Sequence, residues 1–191
     1  MRTFVAAALL SGLLAAAPAH AAQPARAPAT GELTGWLILG AGVGYHDGYD
    51  SGFGIGGRYR MPLVTEGVIR PNASGIRDTV DLEFGADLVR YDYSYRVAPY
   101  DYGYTWTAFR PRVGAMWNFW FSPQFALYPK LDLGYQFGWF SGWNNAVGPS
   151  PGWSGAFLEP SIGMIWRFRP ATSLRVEAGS EGLKVGLGFA F

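Results

Sequence analysis

From Leu33 to the last residue, alternate positions of this chain divide into a bulky apolar row and a row of glycine and charge. A period of two is the side-chain period of a β-strand, and it excludes a helical protein. The last segment is the cleanest case: Leu183, Val185, Leu187, Phe189 and Phe191 share one face, and Lys184, Gly186, Gly188 and Ala190 share the other. The same division runs through Leu174–Gly179, Leu158–Phe168, Leu127–Trp139, Arg112–Phe121, Val80–Leu88 and Phe53–Met61. In the first segment Leu37, Leu39, Ala41, Val43 and Tyr45 form the outward face, while Trp36, Ile38, Gly40, Gly42 and Gly44 form the least polar inner row. Eight strands are predicted, most of about 9–11 residues or a little more, the length a tilted strand needs to cross a bilayer.

The chemistry of the two faces says which side meets water. A water-soluble barrel carries charge outside and apolar side chains within. Here the bulky face is the continuous one, while the other mixes glycine with Arg, Lys, Asp and Glu, as in a barrel with lipid outside and polar groups inside. Closure of the sheet removes edges that lipid cannot satisfy. Composition agrees: only 15% of residues are charged and 17% are aromatic, and the only lysines are Lys130 and Lys184. The aromatics group at strand ends as two interfacial belts are expected to: Trp117, Phe119, Trp120, Phe121, Phe125, Tyr128, Trp166, Phe168, Phe189 and Phe191 at one end, Tyr45, Tyr91, Tyr93, Tyr135, Phe137 and Trp139 at the other. The fold expected is an all-β, eight-stranded antiparallel up-and-down transmembrane β-barrel over residues 33–191.

Ahead of it, Met1–Arg2, the apolar run Val5–Ala17 and Ala19-His20-Ala21 form a secretory signal, residues 1–21, too short to span a membrane. Residues 22–32, rich in Pro and Ala, are expected to be a flexible lead-in. Lys and Arg number 15 against 14 acids, and Arg2 leaves with the signal. That balance gives no electrostatic footprint for nucleic acid. Cysteine is absent, which removes disulfides, thiolate metal sites and thiol catalysis.

Short turns are predicted at Ser122-Pro123-Gln124, Arg169–Thr172 and Ser180-Glu181-Gly182, and longer loops at His46–Ser51, Arg96–Gly103 and Ser141–Ser154. Met61–Asp78, with Pro62, Pro71 and Gly75, reads as a long link that breaks the alternation.

The terminal octet Lys184-Val185-Gly186-Leu187-Gly188-Phe189-Ala190-Phe191 resembles the insertion signal of outer-membrane barrels: polar residue, Gly two later, then an apolar residue and a final aromatic. With the signal peptide and eight strands, the chain is similar to small outer-membrane barrels of the OmpA/OmpX type. The resemblance implies bacterial outer-membrane localisation, contact with outer-membrane lipid, and recognition by the barrel-assembly machinery through Lys184, Gly186, Phe189 and Phe191. No peptidoglycan-binding domain is expected. The resemblance also implies short turns on the periplasmic side and Tyr-rich loops outside, with the Met61–Asp78 link periplasmic.

The expected inner row carries Arg58, Arg60, Asp81, Glu83, Asp87, Arg110, Arg112, Lys130, Asp132, Glu159, Arg167, Arg175, Glu177 and Lys184. Acids on one strand are flanked by arginines on its neighbours, so ion pairs across strands are expected, because unpaired charges in a narrow interior are costly. This favours a salt-bridge network plugging the lumen, with a structural or surface-interaction role through Tyr/Trp-rich loops such as Tyr91–Tyr104 and Trp143–Trp153. The alternative is a narrow pore for small solutes, similar to the OmpW type, lined by Arg58, Glu83 and Arg110. Less favoured is an enzyme acting on lipid A. Asp81 and Glu83 lie about 7 Å apart by strand rise, but flanking arginines make them counter-ions rather than an acid–base pair. After signal removal the one histidine is His46, beside Asp47 and near Ser51. No catalytic residue, cofactor or metal site is expected.

Overall fold

The computed structural model describes residues 31–40, 49–65, 67–68, 76–97, 100–142 and 154–191, with the backbone path alone at 49–51, 93–97 and 100–102. Eight strands follow one another: β1 (Glu32–Gly40), β2 (Tyr49–Val64), β3 (Arg77–Val97), β4 (Tyr100–Trp120), β5 (Phe125–Ser141), β6 (Ser154–Arg169), β7 (Thr172–Gly179) and β8 (Gly182–Ala190). Each pairs antiparallel with the next, and β1 pairs with β8, so the sheet closes into a barrel in sequence order. Closure leaves no free edge along the shared height of the wall.

The alternation decides which side chain goes where. Leu131, Leu133, Leu158 and Ile162 stand on the outer surface, Ile162 at 67% exposure. Their neighbours Lys130, Asp132, Glu159 and Ser161 are buried inside. Exposed aliphatics around the wall and buried charges within are the reverse of a water-soluble barrel and the arrangement lipid requires.

Call the end holding Glu32 and Ala190 the terminal end and the opposite one the loop end. At the terminal end Ser122 Oγ accepts hydrogen bonds from the backbone N–H groups of Gln124 (3.2 Å) and Phe125 (3.0 Å), fixing the β4–β5 turn. The β7–β8 turn, Ser180–Glu181, ends at Gly182 with φ of 112°, a value that favours glycine.

Four expectations need correction. The strands are far more uneven than 9–11 residues: β3 and β4 have 21 each, and β7 has 8. The Arg96–Gly103 loop is mostly strand, since Val97 pairs with Tyr100 and Arg96 with Asp101. Its Val and Tyr residues favour strand, and pairing does not stop where the bilayer does. The link is 65–76 rather than Met61–Asp78, because β2 continues to Val64 across a register shift after Pro62, and Pro is tolerated at such a bulge. The short Ser180–Glu181 turn lies at the loop end, not with the other short turns, because β7 runs away from the terminal end.

A fifth correction concerns three aromatics. Trp120, Tyr128 and Tyr91 do not belong to the belts. They share parity with Asn118, Lys130 and Val89 and are buried inside. The remaining described belt residues face outward. Trp117–Phe119 (4.9 Å) and Trp166–Phe168 (6.0 Å) pair at the terminal end, and Tyr135–Phe137 (4.9 Å) nearer the loop end. Tyr45 lies outside the described residues, as does the Tyr93 side chain.

Candidate functional site

The lumen gathers most of the charged side chains among the described residues. Among the described residues, eight cations (Arg58, Arg60, Arg110, Arg112, Lys130, Arg167, Arg175, Lys184) meet eight carboxylates (Glu32, Asp81, Glu83, Asp87, Asp132, Glu159, Glu177, Glu181). The group is formally neutral, as a poorly hydrated interior demands.

Its terminal-end portion is built around Glu32 on β1, Arg60 on β2 and Asp81 on β3. Arg60 donates to Glu32 (2.9 Å) and to Asp81 (3.2 Å). Ser173 Oγ donates to Glu32 (3.2 Å), and Asn118 Nδ2 to Asp81 (2.8 Å). At the centre Arg58 donates to Asp87 at 2.8 Å and lies 3.4 Å from Glu83 and 3.5 Å from Glu177. Arg175 reaches Glu83 at 2.5 Å and Thr34 Oγ1 at 3.1 Å. Lys130 also donates to Glu83 and sits 3.1 Å from Asp132. Towards the loop end Arg112 bridges Asp87 (2.8 Å), Glu159 (2.5 Å) and Glu181 (3.2 Å), and Lys184 donates to Glu159 at 2.6 Å. Arg110 pairs with Glu181.

Aromatic faces complete the shell. Arg58 and Arg175 lie over Trp36 at 5.1 and 4.8 Å, and Arg110 and Arg112 over Phe157 at 4.2 and 5.0 Å. Arg167 stacks on Trp120 at 4.0 Å. Such contacts add a cation–π attraction that helps to hold the guanidinium groups in place. Glycine makes room: a methyl on Gly163 would collide with the Tyr128 ring.

Apolar clusters bracket the ions. On the loop side Ile38, Val89, Tyr91, Trp106 and Ala108 pack together, with Phe140 against them. On the terminal side Met116, Trp120, Ala126, Tyr128 and Ile165 do the same.

Each charged residue anticipated for the inner row is placed in the lumen. Two partners were not anticipated. Glu32 lies at the start of β1, where parity with Thr34 and Trp36 carried the signal. Glu181 reaches in from a turn, where no periodicity applies. Asp81 and Glu83 each accept from several donors, the setting of structural counter-ions. His46 and Asp47 lie outside the described residues, as does the Ser51 side chain.

The register closes the sheet, and the faces are divided with apolar side chains outside and charge inside. The fold is a closed, eight-stranded, antiparallel up-and-down β-barrel.

No family profile matches the chain, and no curated protein matches it. Among solved structures, two of Ail, the attachment invasion locus protein of Yersinia pestis, are similar to it. One is Ail in complex with the heparin analogue sucrose octasulfate, at 17% identity and TM-score 0.45, and the other is Ail alone, at 16% and 0.47. Each match covers 84% of this chain and 95% of the Ail chain. The architectural assignment rests on this chain's own register and faces.

Proposed function

We propose that this is an exported outer-membrane barrel that conducts nothing and acts through its loop-end surface. The neutral ion network between two apolar clusters carries the reading. Any solute crossing would have to part pairs such as Arg58–Asp87 and Arg112–Glu159, each buried on both sides. An eight-stranded barrel has an interior just wide enough for side chains to fill or for one small ligand, and here buried side chains fill it.

The uneven wall supports the second half. Arg90 and Asp92 face outward on β3, loop-ward of Leu88, and Thr105 Oγ1 donates to Asp92 at 2.6 Å. That polar cluster marks where the outer wall leaves lipid. The β3–β4 hairpin continues beyond it to Val97 and Tyr100, roughly 15 Å further along the strand at the usual rise. On the opposite side β7 and β8 end at the Ser180–Glu181 turn. A wall raised on one side presents a rigid sheet rather than loops alone. In this reading residues 1–21 direct export, the outer face contacts lipid, and Lys184, Gly186, Phe189 and Phe191 are recognised during assembly. No catalytic role is assigned.

The test is solute entry into phospholipid vesicles holding the protein, with folding scored by the mobility difference between unboiled and boiled samples. Vesicles as tight as protein-free ones are expected. Uptake of small charged solutes by vesicles holding folded protein would replace this reading with a pore lined by Arg58, Glu83 and Arg110.

A further inference from the structure

The outer wall is not uniformly smooth. Near the terminal end, across β3, β4 and β5, an open groove of about 390 Å³ is lined by Val68, Val80, Ala115, Trp117, Pro129 and Leu131, together with Met116 and Lys130, whose side chains are buried on the other side of the wall. Apart from those two the wall residues have outward parity, and the small Ala115 and Pro129 form a floor between bulkier neighbours. Val68 comes from the β2–β3 link, which a buried outward-facing carboxylate fastens to the wall. Asp78 Oδ2 accepts both the Val68 backbone N–H (2.9 Å) and the Trp117 indole N–H (2.8 Å). Arg77 donates to the Thr65 carbonyl at 2.6 Å, a second fastening of the same link. Groove, link and indole are therefore fixed together.

We infer that this groove holds one acyl chain of a glycerophospholipid from the leaflet at the terminal end. The occupant follows from position and lining. The groove is continuous with the lipid-facing wall, with Leu131 itself 49% exposed. Its lining is almost wholly apolar, which suits a hydrocarbon chain and no water-soluble ligand. Trp117, with its indole N–H satisfied by Asp78, forms a stationary side wall rather than a headgroup contact that exchanges with lipid. A chain lying there exchanges more slowly than the annular lipid beside β1 and β8. The inference rests on the membrane-spanning reading above.

The test uses the folded protein in vesicles of phosphatidylethanolamine and phosphatidylglycerol containing phosphatidylethanolamine with a photoactivatable diazirine in one tail. Crosslinks mapped by peptide sequencing are expected at Ala115 to Leu131 and at Val68, several-fold above those at Leu37 and Leu187. Ala115→Phe fills the floor and is expected to abolish the enrichment. Val68→Ser, which leaves the barrel wall untouched, is expected to reduce it. Both variants are scored only on the folded, heat-modifiable fraction. Even labelling of all outward positions by folded protein overturns the groove and leaves the barrel reading intact. Protection of the groove together with a crosslinked dimer overturns it in favour of a second copy. Failure of the native chain to fold in the vesicles overturns both readings.

Discussion

Removing one charge from the centre of the lumen is the sharpest perturbation available. Glu83 is 1% exposed and accepts from Arg175 at 2.5 Å, from Lys130, and from Arg58 at 3.4 Å. Glu83→Gln keeps the shape and leaves one positive charge in excess among three buried cations. Breaking a buried pair by deleting one partner costs about 3–5 kcal/mol, and that is the destabilisation expected here. Lys130→Met leaves the opposite excess, with Asp132 and Glu177 losing a donor at 3.1 and 3.5 Å, and a loss of similar size is expected. The double variant restores neutrality. Its cost is expected to fall short of the sum of the singles by roughly 1–3 kcal/mol, the coupling typical of residues in one network. Urea titration of the protein in vesicles, followed by tryptophan fluorescence, measures all three. Single variants within about 0.5 kcal/mol of the parent, the range of uninvolved surface sites, would refute the network, and so would strict additivity.

The remaining predictions test the wall. Ile162→Lys, at an outward position 67% exposed, is expected to destabilise the folded barrel in vesicles by about 2–4 kcal/mol, as charge near the bilayer midplane does. Arg90→Gln, by contrast, is expected to leave the same titration unchanged, since Arg90 and Asp92 are half exposed beyond the lipid band. Gly85→Ala drives a methyl into the Gly57 carbonyl and the Arg58 backbone and is expected to cost about 1–3 kcal/mol by overpacking. Gly35→Ala meets nothing within 4 Å and is its control. Phe191→Ala removes a side chain that is 73% exposed and stacks on Tyr59 at 6.0 Å, and is expected to slow assembly in cells while costing the refolded protein only about 0.5–1.5 kcal/mol in urea titration.

Much of this fold was legible because a strand's period of two leaves its mark on every residue. Lys184, Arg175, Glu159 and Asp132 could be assigned to one interior from sequence because each sits between bulky outward neighbours. Local signals failed where tertiary position decides. Trp120 and Tyr128 fall among aromatics that do face lipid, and only strict parity separates them from Phe119 and Phe121. Strand ends were misjudged at Val97–Tyr100 because the sequence there continues to favour strand past the point where lipid ceases to require it. Glu181 carried no signal at all: a turn residue gains its role from which lumen it overhangs. The pinning of the link by Asp78 was hidden for the same reason, since its partners Val68 and Trp117 are distant in sequence.

An inside-out barrel has lipid outside and a closed charged interior. Because the native chain has no cysteine, single cysteines along β5, at positions 127 to 137, can carry spin labels in vesicles without competing sites. Labels at Leu127, Leu131, Leu133 and Phe137 are expected to relax with oxygen dissolved in lipid and to ignore a water-soluble nickel chelate. Labels at the intervening inward positions are expected to be immobile and reached by neither. Nickel accessibility at the outward positions would contradict the membrane-facing wall, and nickel accessibility at the inward ones would contradict the closed lumen.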